Sequence, residues 1–447
     1  MLKFSFEQQI EDKVISFLSF WVLLFAISPF SHLPWGSGYR YLVYVGFPGT
    51  LLVIFIERTN LTFFKEGLSH FVKFIEPFLP FLIFFTLIRV YFFDSFFDSE
   101  VNFGVINLTI LLNTAIFSIL AYFRVNIRKE YFFYACAISS CIFVIDIFWV
   151  SALNGVSIWS VRQYVSPYPT IYGKCIALIG GLTIIGAFVC KRLLFGTRIA
   201  FIVVGNLCFF VSIGVLLVRA TLCIPFFTLL CLALLLRGSH KKLIFAGVVV
   251  LTLLSIVLLV FTPLGTRLER GCNETISTVV DKKTTTVITK IIENKLLTSD
   301  EEEVKKKLNT SMGGRVAVWN LAKNAEFNPI IGSGLGKPEY FIDVTKLFNY
   351  SKDYLPHFHS DYVQCYVVGG LVLLVSIVVT QFLLFRRALQ NPILLFLWLS
   401  MISFGLMDLG FLDAKTFTCF LGAWMIVSLW DVLKDRNTKA IKDLYDP

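Results

Sequence analysis

IAFIVVGNLCFFVSIGVLLVRATLCIPFFTLLCLALLL, from Ile199 to Leu236, contains a single charged residue, Arg219. A helix needs about 20 apolar residues to cross a hydrocarbon core of roughly 30 Å. The stretch is therefore long enough for two spans, which divide at Arg219. A soluble domain has about a quarter of its residues charged. Here 16% are charged, 56% are hydrophobic and 47 of the 447 residues are Phe, so most of the surface must face lipid. The same deficit excludes a disordered or nucleic-acid-binding protein, despite a net charge of +10.

Working outward, comparable apolar runs lie near 14–31, 40–56, 75–93, 103–123, 131–152, 172–190, 199–217, 220–236, 243–262, 361–385, 391–409 and 416–433. The expected fold is an all-α integral membrane protein with about twelve transmembrane helices. It comprises an N-terminal membrane domain over 1–262, a large loop over 263–360, C-terminal membrane helices over 361–433 and a tail over 434–447. The first apolar run is followed by no small-residue cleavage site and reads as a retained anchor. Of the ten cysteines, nine sit in or beside apolar runs, where a thiol behaves as a small hydrophobe. Cys272 stands apart in the large loop, and no Cys/His spacing suggests a metal.

Basic residues recur in alternate loops, at Arg58, Lys65 and Lys73, at Arg124, Arg128 and Lys129, and at Lys191, Arg192 and Arg198. Arg237, Lys241, Lys242, Arg386, Arg387, Lys434, Arg436 and Lys439 continue the pattern. With twelve spans all of these fall on one face, and the positive-inside rule puts that face and both termini in the cytoplasm. The large loop then lies outside. Its first half has Glu301-Glu302-Glu303 followed by Lys305-Lys306-Lys307, opposite charges at helical spacing that predict a solvated helix.

Three segments carry candidate chemistry. Arg219 is a cation at membrane depth, where such residues face a cavity, pair, or snorkel to the interface. No acidic residue lies near it in sequence, and guanidinium suits phosphate through paired hydrogen bonds. Gly313-Gly-Arg315-Val-Ala-Val-Trp319 begins a short amphipathic helix, followed by a Gly-rich turn, Asn328-Pro-Ile-Ile-Gly-Ser-Gly-Leu-Gly336. That turn lacks the Gly-Lys-Ser/Thr ending of a phosphate-binding P-loop. Leu355-Pro-His357-Phe-His359-Ser-Asp-Tyr362 places two of the five histidines just before a membrane span. A histidine there is suited to exchange a proton near neutral pH; the alternatives are a metal site, for which no third ligand lies nearby in sequence, and ordinary interfacial residues. No Asp-x-Asp, Gly-x-Ser-x-Gly or His-Glu-x-x-His motif is present.

Together these segments resemble the O-antigen ligase and polymerase superfamily of bacterial envelope glycan assembly. Arg219-Ala220 matches its mid-chain Arg, Gly313 to Trp319 its Gly-x-Arg-x-x-x-Trp stretch, and Pro329 to Gly334 its Pro-x-x-Gly-x-Gly. His359-Ser360, then nine residues and Gly370, matches its His motif, while Leu373 stands where ligases often carry a small or polar residue. The resemblance implies inverting, metal-independent transfer of a glycan from undecaprenyl diphosphate at the periplasmic face of the inner membrane. The acceptor is a lipid A–core sugar for a ligase and another repeat unit for a polymerase. No cofactor is implied. Arg219 and Arg315 would stabilise the departing diphosphate and His359 would be the general base. His357 would assist, and Arg162 would steer the anionic substrate. A lipid-glycan transporter is the competing class, but it commonly shows internal repeats, and none is detectable here.

Overall fold

A computed structural model describes residues 61–91, 103–122, 129–165, 169–190, 192–235 and 360–445. It also describes short pieces at 286–287, 290, 298–302, 319, 322 and 327–334. The expected spans at 14–31, 40–56 and 243–262, most of the large loop, and Arg315, His357 and His359 lie outside the described residues.

Among the described residues the fold is all-helical, with no strand. In chain order the helices are α1 (Leu61–Ile75), α2 (Leu79–Tyr91), α3 (Phe103–Tyr122), α4 (Lys129–Leu153) and α5 (Pro169–Val189). They continue as α6 (Phe195–Phe209), α7 (Ile224–Leu235), α8 (Asp361–Ala388), α9 (Pro392–Met407) and α10 (Ala414–Tyr445). Five described stretches are long and apolar enough to cross a membrane: Gly67–Ile88, Lys129–Leu153, Pro169–Val189, Phe195–Val215 and Asp361–Ala388. Shorter apolar helices occupy Arg219–Leu235, Pro392–Met407 and Thr416–Val432.

The run expected at 75–93 is shifted. The helical path starts at Leu61, tightens into a 3-10 turn at Glu76–Phe78 and continues to Tyr91. Pro77 has no N–H to give an α-helical bond, so the path tightens there into a 3-10 turn and carries on. At this turn Glu76 meets Arg387 of α8 at 3.1 Å.

The bundle is built around α5. Within its membrane stretch 89% of the residues are buried inside the protein, against 33% for α4 and 56% for α8. Helices in lipid gain little from hydrophobic association and depend on close packing, which small residues permit. A Cβ added at Gly180 would stand 2.6 Å from Cys208 Cβ of α6, and one at Gly205 would stand 2.7 Å from the Gly180 carbonyl. Likewise Gly181 seats the Phe396 ring of α9, and Gly186 seats Phe133 of α4. Aromatic pairs fill the remaining space, with ring centroids 4.5 Å apart for Phe74–Phe117 and 4.9 Å for Phe143–Tyr172. Such pairs add about 0.5–1.5 kcal/mol beyond burial. On the outside Ile83, Leu87, Ile145, Trp149, Val203, Val375 and Phe382 are exposed, as a lipid-facing surface requires.

Candidate functional site

Charged side chains sort to the two ends of the helices. At one end Lys129 lies over the Trp430 ring at 5.4 Å, and Asp431 accepts from Asn391 Nδ2 at 3.0 Å. Arg198 Nη2 donates to Cys190 O at 3.4 Å there as well. Arg386 and Arg387 close α8 beside Asn391, so the basic residues that alternate along the sequence gather on this side. The opposite end carries Arg162, Lys174, Arg219, Asp361, Asp408 and Asp413, and is the candidate site.

Arg219 sits on a break between α6 and α7. The α-helix widens into a π-turn at Phe210–Val215, and Leu217 takes φ 54°. Arg219–Thr221 then form one 3-10 turn before α7 begins. A left-handed Leu costs roughly 1–2 kcal/mol, and irregular backbone at membrane depth survives only when protein satisfies it. Three elements do so. Ser212 Oγ donates to Gly173 O of α5 at 2.8 Å and lies 2.9 Å from Thr221 Oγ1. Thr221 Oγ1 donates to Val218 O at 2.7 Å, and Ser403 Oγ of α9 donates to Ala220 O at 3.0 Å. Arg219 itself is half-buried. It therefore stands at a helix junction and not inside a continuous helix. The 3-10 segment Ile158–Tyr164, which carries half-buried Arg162, packs beside it through Trp159, whose ring is 5.7 Å from that of Phe210.

The Gly-rich turn has a structural task. Helix α8 is broken at Gly370 (φ 61°, ψ −156°), which strands backbone groups on both sides. The turn at Asn328–Gly334 takes up those groups. Ser333 N and Gly334 N donate to the carbonyls of Val367 and Val368 at 2.9 Å each. Leu371 N and Val372 N donate to the carbonyls of Pro329 and Ile330 at 2.8 and 3.1 Å. The fit leaves no room for side chains. A Cβ at Gly370 would be 2.3 Å from the Ile330 carbonyl, and one at Gly332 would be 2.5 Å from that of Val368. The Pro-x-x-Gly-x-Gly motif and the Gly370 of the His motif are thus two halves of one clip between the large loop and α8. The break also redirects the start of α8. Gln381 O accepts from Trp398 Nε1 at 2.9 Å, while Asp361 lies against Gly405. Seven residues of α9 separate these ties, about 10 Å of rise, against about 30 Å for twenty residues of a straight α8.

Beside the clip is a charged cluster the sequence reading did not single out. Lys174, on the first turns of α5, has 1% of its side chain exposed. Its Nζ is 3.3 Å from Asp408 Oδ2 and 3.5 Å from Asp413 Oδ2, and it donates to Leu409 O. Asp361, the first residue of α8, is buried. It accepts from the backbone N–H groups of Gly410 (3.1 Å), Phe411 (2.7 Å) and Leu412 (3.0 Å). All these partners belong to the α9–α10 connection.

The family model described as O-antigen ligase matches residues 207–378. Over residues 207–378 the chain is thus similar to the O-antigen ligase family. The match runs from α6 into α8, so Arg219, the Asn328–Gly334 turn, Asp361 and Gly370 fall inside it, while Arg162, Lys174, Asp408 and Asp413 fall outside. Comparison with curated proteins found no match. Of the predicted site residues, the structure brings Arg162 and Arg219 onto adjoining segments at one end. It places the residue after His359, Ser360, buried at that same end, ahead of α8. Lys174 carried the same signal as Arg219, a lone charge in an apolar run. Its partners, more than 200 residues away, gave no signal in sequence.

Proposed function

We propose that this protein is a glycosyltransferase that moves a glycan from undecaprenyl diphosphate to a lipid A–core sugar hydroxyl, with inversion, at the periplasmic face of the inner membrane. One observation carries the reading. Within the matched region, Arg219 stands on a braced break in a membrane helix, at the end of the bundle where α8 begins at Asp361, two residues after His359 in sequence. The opposite end gathers the basic residues, which by the positive-inside rule makes the Arg219 end the outer one.

In the proposed step the acceptor oxygen attacks the anomeric carbon, and the bond from that carbon to the diphosphate oxygen breaks. The electron pair leaves with the diphosphate. Arg219 and Arg315 take up its growing charge, and fixed cations at a leaving group supply much of the catalysis in a partly dry site. His359 accepts the acceptor's hydroxyl proton, a contribution of about 10²–10⁴-fold. His357 assists and Arg162 steers the anionic donor. The donor is already activated at its anomeric carbon, so no nucleotide or cofactor enters the step. The reading also expects transfer to persist in a metal chelator.

Polymerase is the second reading, and Leu373 favours it. This residue is fully buried where ligases often carry something small or polar. Purified protein given carrier-linked glycan separates the two. Product on lipid A–core acceptor supports the ligase, and lengthening of the carrier-linked chain supports the polymerase. Failure of both removes the proposal.

A further inference from the structure

Lys174 is fully buried in a helix long and apolar enough to cross a membrane. A cation there is tolerated only when paired, and replacing a well-packed ion pair with apolar residues is often neutral or stabilising. What directional groups add is register. The register fixed here is that of the α9–α10 connection. From one side Lys174 holds it through Asp408, Leu409 O and Asp413. On the other side its three successive amides, at Gly410, Phe411 and Leu412, hold Asp361. Gly405 packs against that carboxylate so closely that a Cβ would be 2.4 Å from Oδ2. The start of α8 is therefore pinned at Asp361 and again nine residues later by the clip at Gly370. His359 is the second residue before Asp361.

We infer that Lys174 and Asp361 are positioning residues for His359. Lys174 sets the height of the α9–α10 connection, the connection's amides set Asp361, and Asp361 sets the entry of the chain into α8. Apolar contacts alone would let this entry slide along the bundle, whereas three convergent N–H donors fix both its position and its rotation. The inference rests on the proposed role of His359 as base. It adds two groups, one of them outside the family match, that touch neither donor nor acceptor.

The test uses the full-length protein in lipid nanodiscs, with Asp361→Asn, Lys174→Met and the milder Lys174→Gln. Amide hydrogen exchange at Gly410, Phe411 and Leu412 should rise by about tenfold or more in each variant, while the amides of Ile176–Ile185 in α5 stay protected and show that the bundle is intact. In transfer assays kcat should fall about 10- to 100-fold, the scale of a roughly 1 Å misplacement. KM should stay within about threefold, since donor binding is untouched. Unchanged exchange overturns the inference, as does loosened exchange with normal kcat or a loss confined to KM. If His359→Ala transfers at the normal rate, the proposed base is wrong and the inference falls with it. Failure of the positioning variants alone leaves the base standing.

Discussion

At the scale of single residues, the account turns on groups that no substitute of similar size or charge can replace. Lysine keeps the charge of Arg219 but loses the paired donors that match a diphosphate. Arg219→Lys should lower the transfer rate about 100-fold, and a normal rate in that variant would remove the phosphate argument. His359→Ala should abolish transfer while expression and membrane insertion stay normal, checked by assay and immunoblot of the same preparations. Gly370→Ala and Gly332→Ala each force a Cβ onto backbone at 2.3–2.5 Å from a left-handed conformation. Each should cost about 3 kcal/mol in thermal unfolding. Gly196→Ala, with nothing within 4 Å of its Cβ, should stay within about 0.5 kcal/mol. Arg219 was legible in sequence because one cation interrupts a long apolar run. Asp408 and Asp413 were not, because each takes its meaning from Lys174, which only tertiary packing brings near.

At the scale of elements, the apolar runs announced α3, α4, α5, α8 and α9 to within a few residues, since crossing length and hydropathy act locally, and they announced the start of α10, which continues past the expected 433 to Tyr445. The breaks were silent. Nothing apolar or polar in Leu371 to Phe385 signals that α8 is interrupted just before it, and Gly370 gained significance only through the family motif. The interruption is possible because a turn from a distant loop supplies four backbone hydrogen bonds. Of the solvated helix expected from Glu301–Glu303 and Lys305–Lys307, only Glu301 and Glu302 are among the described residues; they belong to a helical piece at Ser299–Glu302, with Thr298 N–H donating to Glu301 Oε2 at 2.8 Å in the manner of a capping box. Lys290 reaches the same carboxylate at 2.6 Å. The hydrogen bond from Lys290, then that from the Thr298 amide, holds the Glu301 carboxyl below its ordinary value. A lowered carboxylate contributes stability above its unfolded value and loses it as pH falls through the folded one. The Thr298 amide should therefore be protected from exchange at neutral pH and lose that protection in acid below the ordinary carboxylate range. Protection that is flat with pH would show that the tie to Lys290 carries nothing.

At the scale of the whole molecule, the alternation of basic loops read from sequence reappears as a sorted bundle, with Lys129, Arg198 and Arg387 at one end and Arg219, Lys174 and the aspartates at the other. Composition fixes this sorting in advance, because each span of suitable length must deliver its flanking charges to one side or the other. Composition does not reveal which helix occupies the centre. That place goes to α5, through glycines that admit α4, α6 and α9 and the Arg219 break itself. The central claim is that the Arg219 end faces outward, where a carrier-linked glycan arrives. Asn154 is exposed at that end and Gly196 at the other. Single-cysteine variants at these positions, treated with a membrane-impermeant maleimide on intact spheroplasts, test the claim directly. Labelling of Asn154→Cys without Gly196→Cys is the predicted result, and the reverse would put Arg219 on the cytoplasmic side and contradict it.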